Sequence, residues 1–194
     1  MKIVFLYNHP HPVHGAWAEH SNAVFIQDRV TASFKIAGLS RLLKSLLTLR
    51  KIPKDTDIVL CESASQLIAG SLWKLCNKEK KLACIVSDPK MYYIKTTSGV
   101  LRKLSLWMFK KTDLLIPTSP MMLSLIPGEV NAKKYVVFPY VDLERYTNYK
   151  ASLKEKTIIF TGRIGYEKGA DKTARVFEMV KIKNPEAKMY MLGF

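Results

Sequence analysis

Long hydrophobic runs and cysteines are both scarce in this sequence. No apolar run reaches about 18 residues, the length that a membrane-spanning helix needs. The three cysteines are an odd number in apolar surroundings, which predicts reduced thiols in a cytosol rather than a disulfide framework. The first apolar run, Lys2–Tyr7, is too short for the core of a signal peptide and predicts a strand. These absences exclude a transmembrane helix and predict a cytoplasmic protein.

Acidic residues are few as well, since 16 Asp and Glu stand against 31 Lys and Arg, for a net charge of +15. Seven basic residues and no acid lie between Asp28 and Asp55, and a second basic block runs from Lys90 to Lys111. This excess favours an anionic partner: nucleic acid, a phosphate-bearing small molecule or an acidic membrane surface. Aromatic residues do not interleave with the basic runs and no known nucleic-acid-binding module is present, so no nucleic acid is expected. A basic nucleic-acid-binding protein and a non-catalytic α/β protein are the alternatives.

Short apolar runs, rich in β-branched residues, alternate with helical segments along the chain. Such runs are typical of strands buried on both faces, and their alternation with helices predicts an α/β protein with a doubly wound parallel sheet. Segment 16–37 is ambiguous, because it fits a helix over 16–29 or a strand over 23–27. The predicted strands are 2–7, 57–61, 82–86, 113–116, 135–138, 157–161 and 188–192, and the predicted helices are 39–49, 64–77, 99–111 and 169–183.

The helix predicted over 39–49 is amphipathic, with leucines at the spacing of one face. Because helices must cover the sheet, we expect most of this apolar surface to pack in the core. The same mixture of basic and large apolar residues, here and in segment 101–111 with Trp107 as an anchor, is also typical of helices that bind an anionic membrane surface. The leucines are Leu39, Leu42, Leu43, Leu46 and Leu47, and the other side carries Arg41, Lys44, Thr48 and Lys51.

Polar residues follow the predicted strands, at the edge of a parallel sheet where ligands bind. Glu62 and Asp88 each place an acid at this edge, although Asp88 also fits a turn before Pro89. Ser63 and Ser119 stand where helices are about to begin, and we expect both to act as helix caps.

The segment 160–171 carries the strongest local motif, in which a strand, a glycine-containing loop and a helix follow one another. Gly162 and Gly169 let the backbone approach a ligand closely, and the amino terminus of a helix attracts anions. Arg163 offers a planar fork and Lys168 a point charge, a suitable pair for a diphosphate. The motif is neither a Walker loop nor a dinucleotide fingerprint, and a glycine turn with exposed charges is the structural alternative.

All four histidines lie within the first twenty residues. Three of them are close enough in sequence to suggest a transition-metal site. Prolines stiffen this segment, no cysteine or acid joins it closely, and the spacing matches no standard site, so no metal is predicted and a loop that lines a cleft is favoured. The histidines are His9, His11, His14 and His20.

Four segments resemble, in order and spacing, the nucleotide-sugar glycosyltransferases of the GT-B fold, family 4: 113–119, 135–146, 159–171 and 184–193. The resemblance covers about residues 56–193, and its most specific part runs from Gly162 to Gly169. It implies two Rossmann-like domains that face a cleft. Residues 1–147 would form the amino-terminal, acceptor-side domain, 148–155 a linker, and 156–194 the first β-α-β unit of an incomplete donor-binding domain.

The resemblance also implies roles for individual residues. Arg163 and Lys168 would neutralise the donor diphosphate as it departs, and Asp88 would orient the acceptor hydroxyl. His14 or His20 would contact the acceptor or a donor phosphate. The residues implied are thus Gly162, Arg163, Lys168 and Gly169 for the diphosphate, Asp88 for catalysis, and His14, Gly15, Glu62 and Ser119 for the acceptor side of the cleft.

The implied reaction is transfer of a hexose-type sugar from a nucleotide-diphosphate sugar to a glycan or lipid-linked acceptor, with retention and without a metal or other cofactor. The implied location is the cytoplasm, peripherally on the inner face of the membrane. Three departures stand out: His14-Gly15 replaces a glycine pair, Ser87-Asp88 replaces His-Asp, and the acidic pair that holds the sugar would lie beyond Phe194. The chain is therefore expected either to need a second chain that supplies the rest of the donor domain or to be inactive alone.

Overall fold

The chain folds into two compact units, Met1–Val141 and Asp142–Phe194. The computed structural model describes residues 1–8, 12–28, 37–87, 94–96, 98–139 and 156–193. The predicted domain boundary after residue 147 and the predicted linker 148–155 lie outside these residues.

Unit 1 is built on a six-stranded parallel sheet. The order of its strands is β2-β1-β3-β4-β5-β6. For segment 16–37 the strand alternative over 23–27 is confirmed and the helix over 16–29 is wrong, because a helix ends at His20 and Val24–Gln27 forms a strand. The strands are β1 Ile3–Tyr7, β2 Val24–Gln27, β3 Ile58–Cys61, β4 Lys81–Val86, β5 Leu114–Pro117 and β6 Lys133–Lys134, and the helices are α1 Pro12–His20, α2 Ala37–Leu49, α3 Leu67–Cys76, α4 Gly99–Lys110 and α5 Pro120–Leu125.

Helices cover both faces of this sheet. On β1, Val4 and Leu6 belong to the larger core cluster, which includes Trp73 of α3 and Phe109 of α4. Phe5, between them, belongs to a smaller cluster with residues of α1. Burial on both faces explains why the strands are continuous apolar runs rather than alternating ones. The predicted α/β class with a Rossmann-like, doubly wound sheet is confirmed.

The strand order reverses direction between β1 and β3. From β1 the chain moves outward to β2 and then returns to the other side of β1 to form β3. The connections that leave the carboxyl ends of β1 and β3 therefore diverge, and parallel sheets bind ligands in the crevice that this divergence opens. Unit 1 has one such point among its described strands, and it lies between Tyr7 and Cys61.

The predicted strand 135–138 is wrong, since β6 ends at Lys134. The backbone of Tyr135 and Val137 still donates to the carbonyls of Leu115 and Pro117, at 3.2 and 3.0 Å. Pro117 has no N–H to return the next bond of the ladder, so the pairing is one-sided there. The apolar composition of this segment therefore did not predict its structure correctly, and its side chains are largely exposed.

Helix α2 differs in part from the prediction that its leucines pack in the core. Over residues 43–49, whose side chains the structure describes, Ser45 and Thr48 are buried, whereas Leu43, Leu46 and Leu47 are exposed. The Thr48 hydroxyl donates to the buried Asp28 carboxylate at 2.8 Å, and this bond holds the side of the helix that carries Thr48 inward. A buried carboxylate needs donors, and that need outweighs the gain from covering three leucines.

The cysteines also differ in part from expectation. All three are free, as predicted, but Cys76 is exposed, whereas Cys61 and Cys84 are buried on neighbouring strands. Burial raises the pKa of the Cys61 thiol, which makes it an inert core residue.

Two aspartates accept backbone hydrogen bonds at the amino-terminal edge of the sheet. Asp57 accepts the Lys2 N–H and Asp113 accepts the Leu82 N–H, each at 2.8 Å. Burial raises the pKa of Asp113, but the Leu82 N–H and the ammonium groups of Lys74 and Lys81 lower it more, so the net pKa lies below its ordinary value of 3.8. These acids lie at the edge away from the ligand crevice and serve stability.

We expect Asp113→Asn to destabilise unit 1 at neutral pH by about 1 kcal/mol, because the carboxylate loses its charge-assisted bonds. A lowered folded-state pKa contributes stability that is fully present above the unfolded pKa and is lost as the pH falls through the folded one. The difference between wild type and variant should therefore vanish in acid. Urea unfolding across the acid range measures it, with Glu79→Gln, which changes an exposed acid of unit 1, as control. A gap that persists below the folded pKa would contradict the assignment.

Unit 2, where described, is a single β-α-β unit. Strands β7 Thr157–Thr161 and β8 Lys188–Leu192 pair in parallel, and helix α6 Ala170–Lys183 connects them after a one-turn 3₁₀ helix, Tyr166–Lys168. The predicted β-α-β unit is thus present over the described residues. Among the described residues, Ala170 and Ala187 are its buried apolar side chains. Its exposed large apolar residues include Ile158, Ile159, Val176, Met179, Ile182, Tyr190 and Leu192.

Candidate functional site

In unit 2, the loop between β7 and α6 has a backbone that depends on glycine. Gly162 has φ 142° and Gly169 has φ 71°, both in the region that side chains disfavour. The Gly162 N–H donates to the Leu192 carbonyl at 3.0 Å, and the Gly165 N–H to the Arg163 carbonyl at 2.9 Å. The loop therefore leaves the end of β7 in a fixed, tightly turned path.

Gly193 holds this loop against the end of β8, and the sequence analysis gave it no role. A Cβ at position 193 would lie 1.9 Å from the Gly162 carbonyl oxygen and 3.0 Å from Cγ1 of Ile164. The two strand ends thus approach too closely for any side chain. The clue in the sequence was that a glycine directly follows each of the two paired strands, Gly162 after β7 and Gly193 after β8.

Helix α6 begins at Ala170, and Gly169 is its N-cap residue. This residue has no side chain to cap the helix, and the first intrahelical bond runs from the Thr173 N–H to the Gly169 carbonyl at 2.9 Å. The first N–H groups of a helix have no intrahelical partner, and the helix dipole makes this end positive. Asp171 lies in the first turn with one buried carboxylate oxygen, which places a negative charge at the favourable end of the helix.

Arg163 and Lys168, the two predicted diphosphate ligands, lie on this loop, and both side chains are exposed. Arg163 directly follows Gly162, and Lys168 is the last residue before the left-handed Gly169. Two cations and the amino terminus of a fourteen-residue helix are therefore gathered within one short loop. Such a loop is chemically suited to an anion with several phosphate oxygens.

In unit 1, His14 and Glu62 meet at the point where the strand order reverses. Both are buried, and Nδ1 of His14 lies 3.6 Å from Oε1 of Glu62. The Asn8 N–H, just after β1, donates to the other carboxylate oxygen at 3.1 Å. The His14 ring also packs against Trp17, with 5.6 Å between centroids. The fold thus brings together a carboxylate from the end of β3 and an imidazole from α1.

Gln66 extends this polar cluster and was not predicted. It is fully buried, its Oε1 accepts the Ser63 hydroxyl at 3.0 Å, and its Nε2 has no hydrogen-bond partner in the described part of the chain. Polar residues in the turn before a helix usually cap it, so the sequence offered no sign of a buried amide.

The two serines have different roles. Ser119 is a helix cap, as predicted, because its hydroxyl accepts the Met122 N–H at the start of α5, at 3.2 Å. Ser63 is not, since α3 begins only after Gln66. Its hydroxyl instead accepts the Ser65 N–H at 3.1 Å, which forms a local turn.

The other predicted residues are dispersed or undescribed. Gly15 lies inside α1, and a Cβ there would have nothing within 4 Å. His20 is exposed at the end of α1. Asp88, His9 and His11 lie outside the described residues. Over the described ranges, no group of three His, Cys, Asp or Glu side chains is placed to hold a metal ion, and no helix is long and apolar enough to cross a bilayer.

The chain was compared with known proteins. No family model and no curated protein sequence matches it. Among solved structures, Anabaena Alr3699/HepE in complex with UDP-glucose matches with 11% identity and a TM-score of 0.58, over 100% of this chain and 70% of that chain. Its complex with UDP matches with 11% identity and a TM-score of 0.57, over 99% and 69%. Likeness at this identity shows that the chain shares the fold of this UDP-glucose-binding protein.

Proposed function

We propose that the chain is a nucleotide-sugar glycosyltransferase of the GT-B fold and family 4 type. It would transfer a hexose-type sugar to a glycan or lipid-linked acceptor with retained anomeric configuration. The observation that carries this proposal is the loop between Gly162 and Gly169, with Arg163 and Lys168 beside the amino terminus of α6. The shared fold with a protein that binds UDP-glucose supports it and makes uridine diphosphate the first nucleotide to test.

The donor side of the proposed reaction follows from charge. Breaking the bond between the anomeric carbon and the diphosphate oxygen leaves negative charge on the nucleotide and positive charge on the sugar. Arg163 would hold two phosphate oxygens through its planar fork, Lys168 would add a point charge, and the N–H groups at the start of α6 would bind a further oxygen. Cations that are already in place stabilise the leaving group without a metal.

The acceptor side is assigned to unit 1. The Glu62 carboxylate, which is fixed by the Asn8 N–H, would accept hydrogen bonds from sugar hydroxyls. His14 would offer the same hydroxyls a ring nitrogen. Asp88 is proposed to orient the attacking hydroxyl, since it follows β4, the strand next to β3. Gly15 and Ser119 would line the same side of the cleft, although the Ser119 hydroxyl is already engaged as a cap.

Further strands beside β7 and β8 are part of the proposal. Apolar residues on both strands and on the helix of unit 2 are exposed, and a two-stranded sheet by itself buries little surface. Further strands would cover these residues and supply acidic groups for the sugar. Activity is therefore expected from the completed donor domain, whereas diphosphate binding depends on residues that this chain already contains.

Titration calorimetry with UDP-glucose, UDP and UMP tests the proposal. We expect UDP and UDP-glucose to bind and UMP to bind at least about tenfold more weakly, because one fewer phosphate removes contacts to Arg163 or Lys168. Other nucleotide-diphosphate sugars then identify the base and the sugar. Equal affinity for UMP and UDP, or no binding of any diphosphate, would contradict the proposal.

A further inference from the structure

Gln66 is a fully buried amide at a position where side chains usually cap a helix. It is the N-cap residue of α3, yet its side chain makes no cap bond, and its exposed fraction is 0%. One end of the amide accepts the Ser63 hydroxyl at 3.0 Å, and the other end has no hydrogen-bond partner among the residues that the structure describes. Turning the amide over would exchange its oxygen and nitrogen and leave one end equally unpaired. A buried polar group without a partner is unfavourable, so the contact with Ser63 is what this side chain contributes.

That contact fixes the turn between β3 and α3. The Ser63 hydroxyl donates to the Gln66 amide and accepts the Ser65 N–H at 3.1 Å, and the Ser63 carbonyl accepts the Gln66 N–H at 3.1 Å. Three hydrogen bonds therefore meet at this one serine. Because the hydroxyl has a single proton to donate, the bonds to Ser65 and Gln66 together hold its side chain in one rotamer.

Glu62 is the residue that this turn holds at the crevice. Its backbone N–H donates to the Leu6 carbonyl of β1 at 2.9 Å, and its Oε2 accepts the Asn8 N–H at 3.1 Å. The backbone of Glu62 is thus held by β1 on one side and by Ser63, the next residue, on the other. A distance of 3.1 Å is near the long end of the range for N–H···O bonds, so a small shift of the turn would break the bond to Asn8.

We infer that Gln66 is a positioning residue, which holds the Glu62 carboxylate in place at the acceptor side of the cleft by acting through Ser63. Gln66 is inaccessible and does not itself contact an acceptor. An unpaired buried amide beside a binding carboxylate is the pattern of a residue that serves a site rather than stability. The inference rests on the proposed function for what Glu62 binds, whereas the positioning is a property of unit 1 alone.

Hydrogen exchange at the Asn8 amide tests the inference, because this N–H is bonded to the Glu62 carboxylate. In the whole chain, Gln66→Met keeps the length of the side chain and removes its polar end. We expect it to speed Asn8 exchange by at least about tenfold relative to the core amides of β1 and β3, since the carboxylate is no longer held. The thermal midpoint should stay unchanged or rise by up to about 4 °C, because methionine has no polar group to leave unpaired. Ser63→Ala breaks the same contact from its other partner and should also speed Asn8 exchange.

Thr56→Val is the matched control. The Thr56 hydroxyl is also buried without a hydrogen-bond partner in the described ranges, but it lies just before β3, at the opposite end of that strand from Glu62. Its removal should change the thermal midpoint in the same direction and leave Asn8 exchange, relative to the core amides, within about twofold of wild type. Gln66→Met should bind UDP like wild type, since the proposed diphosphate ligands lie in unit 2.

Two outcomes would overturn the inference. If Asn8 exchange in Gln66→Met keeps its wild-type rate relative to the core amides, the amide does not position Glu62. If the thermal midpoint falls and all core amides exchange faster together, Gln66 contributes to the stability of unit 1 instead. Failure of wild type to bind UDP would contradict the proposed function and leave this measurement standing, because the measurement uses no nucleotide.

Discussion

Replacing both Arg163 and Lys168 by methionine is expected to abolish measurable binding of UDP. Each side chain would contribute a charge-assisted contact to the diphosphate, and loss of one such contact weakens binding by about 10- to 100-fold. In the completed donor domain, Arg163→Met alone should lower kcat/KM by about 100- to 1000-fold, the usual effect of removing one group that stabilises developing charge. Methionine keeps most of the side-chain length, so the loss reports on charge. Titration calorimetry with UDP measures the first effect.

Lys183→Met is the control that matches the single variant Arg163→Met in charge, because it removes one exposed cation, at the opposite end of α6. It should leave UDP affinity within about twofold, since screened charges at that distance contribute little. If the control and the Arg163/Lys168 variant weaken binding equally, the loop is not the diphosphate site.

Gly193→Ala should unfold unit 2. The new Cβ would lie 1.9 Å from the carbonyl oxygen of Gly162, a backbone atom that no rotamer change can move. Relief requires the strand ends to separate, at about 3 kcal/mol or more. Because the described part of unit 2 buries few apolar side chains, a loss of this size removes most of its stability. Amide NMR spectra should show loss of dispersed signals from β7, α6 and β8, together with loss of UDP binding.

Gly128→Ala is the control, since a Cβ there has nothing within 4 Å and its φ is not positive. It should leave both spectra and UDP binding unchanged. If Gly193→Ala retains a folded unit 2, the close approach of the strand ends is not required, and the loop from Gly162 is held by other contacts.

The strands of unit 1 could be predicted because burial on both faces leaves a direct mark in sequence. Residues 58–61 and 82–86 are continuous apolar runs, and both lie in central strands. The failure at 135–138 has a cause outside that segment, in a proline on the neighbouring strand. The composition of a segment describes that segment alone, whereas strand pairing depends also on the neighbouring strand.

The orientation of α2 could not be predicted, because the leucine pattern identifies an apolar side of the helix but does not identify what that side packs against. The deciding contact joins Thr48 to Asp28, which lies on a different element. Long-range polar contacts of this kind leave no periodic trace in sequence.

The candidate site was predictable in parts. The Arg163–Lys168 loop is local, so its strand–loop–helix context could be predicted from adjacent residues. The meeting of His14 with Glu62 depends on β1 lying next to β3, and alternation of strands and helices does not fix that order. Each residue could be placed at the carboxyl edge, but their contact required the fold.

The two strands of unit 2 have one further consequence. Within the described ranges β7 and β8 pair only with each other, so each carries an outer row of backbone amides and carbonyls. Such rows recruit extended segments from other molecules, and exposed isoleucines on β7 strengthen the attachment. During synthesis and purification the chain should thus depend on chaperones and be prone to form inclusion bodies, until a neighbouring strand occupies those edges.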